Sequence, residues 1–172
     1  MNAAADRVDA DTRWLPAYVA VGSNLDGPEA RVSRTLQALG RLPGTRLVVS
    51  SALYRSKPFG EVVQPAFVNA VAGLLIQSDP DRFLVTLRAL ELELGREPPR
   101  ERWGPRFIDL DLLVVGRETR ATETLTLPHP GIAERDFVLY PLAEIAPDLD
   151  VPGLGRVSDL RARVANRGIT RL

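Results

Sequence analysis

The chain has 172 residues, 45% hydrophobic and 26% charged, a length and balance suited to one compact domain with a substantial core. Its 22 basic and 22 acidic residues cancel, so no overall field recruits nucleic acid or an anionic membrane, and any polyanion site has to be local. Cysteine is absent from the sequence, which excludes disulfides, thiolate metal centres and cysteine nucleophiles.

Residues 1–15 are polar and alanine-rich and are expected to form a disordered leader anchored only by Trp14, with a single domain over 16–172. The leader has no apolar core of a signal peptide, and no run approaches the roughly 18 apolar residues of a membrane span. A cytoplasmic protein is therefore expected. Ala17 to Val21 reads as a strand, followed by Gly22-Ser23-Asn24 and then by Asp26-Gly27-Pro28, which opens a helix carrying Val32, Leu36 and Leu39 on one face. Gly22-Ser23-Asn24 has neither the Walker-A nor the dinucleotide spacing, so a plain turn is the better reading than a phosphate cradle.

Leu42-Pro43-Gly44 breaks the chain, and the alternation over Thr45–Arg55 predicts a second strand. The loop Ser56-Lys57-Pro58-Phe59-Gly60-Glu61-Val62-Val63-Gln64-Pro65 is more apolar than a connector needs, as a ligand wall would be. Ala66–Gln77 reads as a third strand on which Phe67 and Asn69 share a side; a strand phenylalanine is ordinarily core, but beside an amide it also suits a ligand face. Ser78-Asp79-Pro80 is a helix start, and Phe83, Leu87, Leu90 and Leu94 give the helix one apolar face before Gly95.

Lys57 is the only lysine among the 22 basic residues, so a single arginine carries little information. The window from Arg96 through Arg100 and Arg102 to Arg106 is a different matter, being a cluster. It feeds a strand in which Ile108, Leu110, Leu112 and Val114 alternate with their neighbours, so Asp109 and Asp111 share one face. Two carboxylates there are costly to desolvate without a positive partner, and their oxygen ligands suit a hard cation such as Mg²⁺ with phosphate completing its shell. His129, the single histidine, lies between Pro128 and Pro130, a poor setting for a helix and a better one for function than for core. Helices are expected over Asp136–Ala146, with Arg135 at its entrance, and over Ser158–Ala165. The order strand, helix, strand, strand, helix, strand predicts an α+β, ferredoxin-like βαββαβ core, an antiparallel sheet with its helices on one face and C-terminal additions.

Arg102-Trp103-Gly104-Pro105-Arg106-Phe107-Ile108-Asp109-Leu110-Asp111-Leu112-Leu113 resembles the long signature of the 6-hydroxymethyl-7,8-dihydropterin pyrophosphokinases of folate biosynthesis. Val21-Gly22-Ser23-Asn24-Leu25, Gln64-Pro65, Phe67-Val68-Asn69-Ala70, and Leu127-Pro128-His129-Pro130 with Glu134-Arg135 and Phe137 resemble the same family, over residues 17–150 or so. The resemblance implies transfer of pyrophosphate from ATP to the pterin hydroxymethyl group, giving AMP. It implies Asp109 and Asp111 as ligands of two Mg²⁺ ions. The pterin would contact Ser56, Pro58, Phe59, Gly60, Phe67, Asn69, Trp103 and Phe137, and ATP would contact Glu91, Arg100, Arg106, Leu112, Thr126, His129 and Arg135. Arg96, Arg106 and Trp103 would be the catalytic group on a closing loop. ATP and the pterin are the expected partners, without nucleic acid or membrane, in a monomer compatible with folate-pathway partners.

Two departures from the family pattern stand out. Pro98-Pro99 occupies the place of a second loop arginine, a role that Arg100 either assumes or leaves empty, and Lys57 stands where proline is usual, after Ser56 in place of threonine. Two other readings compete: a ferredoxin-like binding module without catalysis, which has no need of a carboxylate pair beside arginines, and a metal-dependent nucleotidyltransferase, which would release pyrophosphate instead of AMP.

Overall fold

The computed structural model describes residues 13–58, 63–96 and 104–172. Strand β1 (Leu15–Ser23) leads through α1 (Pro28–Leu39) to β2 (Thr45–Ser50), β3 (Tyr54–Ser56) and β4 (Phe67–Ile76). Helix α2 (Pro80–Glu93) then leads to β5 (Asp109–Val115). β1 lies between β4 and β5, while β2 and β3 both pair with β4, all antiparallel. This is the expected ferredoxin-like order.

Local chemistry accounts for the elements. Asp79 caps α2, its Oδ1 accepting from the N–H groups of Asp81 at 3.0 Å and Arg82 at 3.2 Å, and Pro80 follows at a position that needs no donor. Helix α1 starts after Gly27, whose φ of 71° is easy only for glycine. Both helices bury one stripe, Val32, Leu36 and Leu39 from α1 and Phe83, Leu87 and Leu90 from α2, against Ala17, Val19, Val21, Ala70, Ala72 and Leu74 of the sheet.

Several expectations need correction. β1 begins at Leu15, inside the range assigned to the leader, and Trp14 stacks against the Arg46 guanidinium at 4.4 Å; residues 1–12 lie outside the described residues. Gly22 and Ser23 continue β1 instead of forming a turn, because both still pair with β4. The strand expected over Thr45–Arg55 is two strands. At the break Ser51 makes a two-way bridge to Val71, donating its N–H at 2.9 Å and accepting at Oγ at 3.0 Å. The alternation of β5 also breaks: Val114 pairs with Tyr18 and Leu112 with Val19, so Leu113 is extra and points with Val114 to the same side.

The largest difference is that helices cover both faces of the sheet. After a hairpin of β6 (Arg120–Ala121) and β7 (Thr126–Leu127), α3 (Asp136–Ile145) crosses the face opposite α1 and α2. A small ribbon of β8 (Asp150–Val151) and β9 (Gly155–Arg156) joins it to α4 (Val157–Arg163), and β10 (Thr170–Arg171) returns to the edge of β3. Val138, Leu139, Leu142 and Leu160 pack there on Val71, Leu113 and Val114. The C-terminal additions thus form a second layer that the βαββαβ count does not contain. No helix among the described residues is long and apolar enough to cross a membrane.

Asp136 ties this layer together. It is buried, its Oδ1 accepts from the Phe137 N–H and its Oδ2 from the Arg167 N–H, both at 2.8 Å. Removing it leaves two amides short of an acceptor, so Asp136→Ala should destabilise the fold by about 2 kcal/mol, as read from the urea midpoint.

Candidate active site

The sheet register brings distant residues into one row. Gly22 pairs with Asn69 on one side and Asp109 on the other, and Ala20 pairs with Asp111 two residues along. All of these point away from α1 and α2, toward the α3 side. A Cβ at Gly22 would come within 3.1 Å of Asn69 Oδ1, so a side chain there would crowd the amide. Below the row, Ser23 Oγ donates to the Phe107 carbonyl at 2.5 Å, and Asn24 Oδ1 accepts from the Arg106 N–H at 2.8 Å. Asn24 Nδ2 also donates to Gln64 Oε1 and the Pro65 carbonyl, so this residue holds the two loops flanking the site.

Two cavities open from the row. The first, about 300 Å³, is bounded by Ser56, Lys57, Phe67, Asn69 and Phe137, with Gly22 and Gly104 also on its wall. Asn69 is buried and donates from Nδ2 to Ser56 Oγ at 2.8 Å, which holds the amide plane. The second, about 330 Å³, is bounded by Leu84, Arg88 and Glu91 of α2, by Leu110 and Leu112 of β5, and by Thr124, Leu125 and Thr126. Arg106, Asp109, Asp111 and His129 line both. Each has the size of a small-ligand site, and they meet at the carboxylate pair.

The two carboxylates differ sharply. Asp109 Oδ1 is held by Arg106 Nη1 at 2.8 Å and by Arg96 Nη1 at 3.3 Å. Arg96 also grips buried Glu91, whose Oε1 in turn accepts from the Leu110 N–H at 2.6 Å. Even so, burial and the neighbouring Asp111 charge outweigh the guanidiniums and push the Asp109 carboxyl up to about 6. Asp111 is looser, with His129 Nε2 and Arg135 Nη1 each 3.9 Å from its Oδ2, beyond a direct hydrogen bond. His129 Nδ1 accepts from the Gly131 N–H at 3.0 Å, which leaves the proton of the neutral ring on Nε2, facing Asp111. Burial and Arg135 hold this imidazole below its usual range, against the pull of Asp111. Arg135 lies so close over Gly131 that a Cβ there would meet its Nε at 2.5 Å.

Of the residues singled out in the sequence, Ser56, Phe67, Asn69 and Phe137 come together in the first cavity, and Glu91, Arg96, Leu112 and Thr126 in the second. Arg106, Asp109, Asp111 and His129 border both, and Arg135 borders the first. Pro58 is described but is not among the residues bounding either cavity; Phe59, Gly60, Arg100 and Trp103 lie outside the described residues. Sequence reasoning missed Leu84, Arg88, Thr124 and Pro130. The first two stand two turns and one turn before Glu91 on the same helix face, a spacing that would have found them.

The donor set fits a hard cation. Two aspartates supply oxygen only, and no group of three or more histidine, cysteine or acidic side chains among the described residues forms a closed cage. A site of one or two carboxylates completed by phosphate and water is the usual form for Mg²⁺.

Comparison with known proteins decides the family. A family model described as 7,8-dihydro-6-hydroxymethylpterin-pyrophosphokinase (HPPK) matches residues 18–147, well over half of the chain. The chain belongs to this family. Relatives that carry the name 2-amino-4-hydroxy-6-hydroxymethyldihydropteridine pyrophosphokinase include the following two. The one from Pseudomonas aeruginosa is 46% identical over 155 residues, covering 90% of this chain and 95% of its own length. That from Haemophilus influenzae is 40% identical over 158 residues, covering 92% and 98%. Among solved structures, the Plasmodium falciparum HPPK-DHPS wild type with pteroate superposes with a TM-score of 0.71 at 14% identity, over 88% of this chain and 42% of that longer one. At that identity the likeness concerns the HPPK fold alone.

The perturbed carboxyl of this HPPK-family site makes stability depend on pH. Asp109 holds its proton more tightly in the fold, near 6, than in the unfolded chain, where about 3.9 is usual. Its contribution to stability is therefore full below about pH 4 and is lost as pH rises through about 6. Asp109→Asn cannot titrate. In the ligand-free protein it should be more stable than the parent at pH 8, by on the order of 2 kcal/mol, and the advantage should vanish by pH 4 in urea titrations at the two pH values.

Proposed function

We propose that the chain transfers the pyrophosphoryl group of ATP to the hydroxymethyl oxygen of 6-hydroxymethyl-7,8-dihydropterin, releasing AMP, as a step of folate biosynthesis. One observation carries the reading beyond family membership: the two cavities share Arg106, Asp109, Asp111 and His129, so a donor in one and an acceptor in the other would meet at the carboxylate pair.

In this reading the pterin occupies the first cavity, stacked by Phe67 and Phe137 and read along its edge by Asn69. Lys57 and Ser56 border it in place of the family's usual proline and threonine. ATP occupies the second, its base and ribose against Leu112, Thr126 and the α2 face, its phosphates toward His129, Arg135, Arg106 and Arg96. Asp109 and Asp111 would hold Mg²⁺, two ions in the family pattern, which when bound neutralise charge across the phosphates. Arg96 and Arg106 meet charge on the transferred group with planar forks, and neutral His129 donates from Nε2. Trp103 and Arg100 complete the reading as loop residues that close over the substrates.

The bond changes are simple. The pterin oxygen bonds to the β-phosphorus, the bond from that phosphorus to the α,β-bridging oxygen breaks, AMP leaves with the electron pair, and the hydroxyl proton passes to solvent. Positioning in line and charge neutralisation supply the acceleration, with no protein nucleophile. The protein is taken to act as a cytoplasmic monomer, which light scattering on the purified chain can check.

Incubation with ATP, Mg²⁺ and the hydroxymethyl-dihydropterin should yield AMP and the pterin pyrophosphate in equal amounts. Release of inorganic pyrophosphate, or no turnover at saturating substrates, would sink the reading. Asp109→Ala and Asp111→Ala should each slow turnover by on the order of 10³-fold or more. Phe137→Ala should weaken pterin binding in calorimetry by about 0.5–1.5 kcal/mol beyond lost burial while leaving ATP binding nearly intact.

A further inference from the structure

The two aspartates, two residues apart on one strand face, are held very differently. Asp109 Oδ1 carries two guanidinium contacts, at 2.8 Å from Arg106 and 3.3 Å from Arg96, whereas among the described residues the nearest cations to Asp111 stand at 3.9 Å. A carboxylate oxygen that accepts two charge-assisted contacts has little lone-pair density left for a cation. Arg96 is also shared, since the same Nη1 reaches Glu91 Oε1, and Glu91 is buried and pinned by the Leu110 N–H at 2.6 Å. If Arg96 leaves Asp109, Glu91 remains as its partner, and no buried charge is stranded.

We propose that Asp109 is a capped metal ligand: in the ligand-free protein Arg96 and Arg106 hold its Oδ1 and meet its charge, and a divalent cation displaces them. Asp111 is the open carboxylate on which the cation first lands. The displaced guanidiniums stay on the wall of the second cavity, Arg106 at its border with the first, where phosphate charge arrives with the nucleotide. Glu91 is a positioning residue that retains Arg96 through the exchange. The cap keeps a bare cation from settling on the empty site, because the exchange becomes favourable only when phosphates receive the guanidiniums. The proposal rests on the reading of Asp109 and Asp111 as cation ligands for a nucleotide-dependent reaction, and it concerns the order in which charges change partners.

Mn²⁺ alone, without nucleotide, is the probe, its free concentration read by electron paramagnetic resonance. The unaltered chain should bind it weakly. Arg106→Ala, which leaves the Arg96–Glu91 pair in place, should tighten Mn²⁺ binding by roughly tenfold, and Arg96→Ala should act in the same direction. Arg88→Ala, which removes a guanidinium from the same cavity wall, should change it by less than about twofold. Unchanged affinity in Arg106→Ala overturns the cap. So does an equal gain in Arg88→Ala, which would make the effect one of general field. As a second measurement, a structure with Mg²⁺ and a non-hydrolysable ATP analogue should show both guanidiniums off Asp109, and their persistence there would overturn the exchange. AMP formation by the unaltered chain is scored apart, so turnover without the Mn²⁺ effect rejects the cap alone.

Discussion

Everything functional in this molecule hangs on one register, that of β1 between β4 and β5, which sets Gly22 between Asn69 and Asp109. A slip of β5 by one residue would turn both aspartates into the core over α1 and α2 and point Leu110 and Leu112 to the α3 side. Burying two carboxylates there costs far more than any pairing could return, and Leu110 and Leu112 would lose their packing with Phe83, Leu87 and Leu90. The apolar alternation that builds the core is therefore the same device that aims the carboxylates. Glycine at position 22 completes it, since a Cβ there would crowd the Asn69 amide at 3.1 Å.

The site is built against the stability of the empty protein. Asp109 sits where burial and Asp111 oppose its charge, and two arginines only partly offset this. A carboxylate pair whose charge is unfavourable without a positive partner is the kind of site that a cation would stabilise. The surroundings are correspondingly firm. Asn24 ties the loops at 64–65 and 106 to the end of β1, and Asp136 fixes the start of α3 just ahead of Phe137.

Much of this was legible in the sequence because it depends on local pattern. The alternation at Ile108–Leu112 placed Asp109 and Asp111 on one face, and the Asp79-Pro80 cap set the start of α2. What escaped depends on contacts between residues far apart in the chain. The division of Thr45–Arg55 into two strands follows from Ser51 bridging to Val71, and β10 from pairing with β3, neither of which leaves a periodic trace. The second helical layer escaped because α3 is apolar on a face that could have packed on either side of the sheet. Gly22-Ser23-Asn24 looked like a turn because glycine and asparagine favour turns in isolation, while their job here is set by Asn69, Arg106 and Gln64, some 40 to 85 residues away.

Arginine abundance was the feature that most obscured the site, and burial is what separates signal from background. Arg82, Arg156 and Arg171 expose 85%, 58% and 65% of their side chains, and their ion pairs are the weak surface kind. Arg96, Arg106 and Arg135 expose 26%, 26% and 20% and converge on the two aspartates. Lysine would serve at the first three positions. At Arg96 one Nη1 serves both Glu91 and Asp109, and a guanidinium, with its charge spread over a plane and weakly hydrated, suits that half-buried bridge better than a compact, strongly hydrated ammonium. Compositional preference for arginine thus explains the surface of this chain, and the geometry of shared acceptors explains its centre.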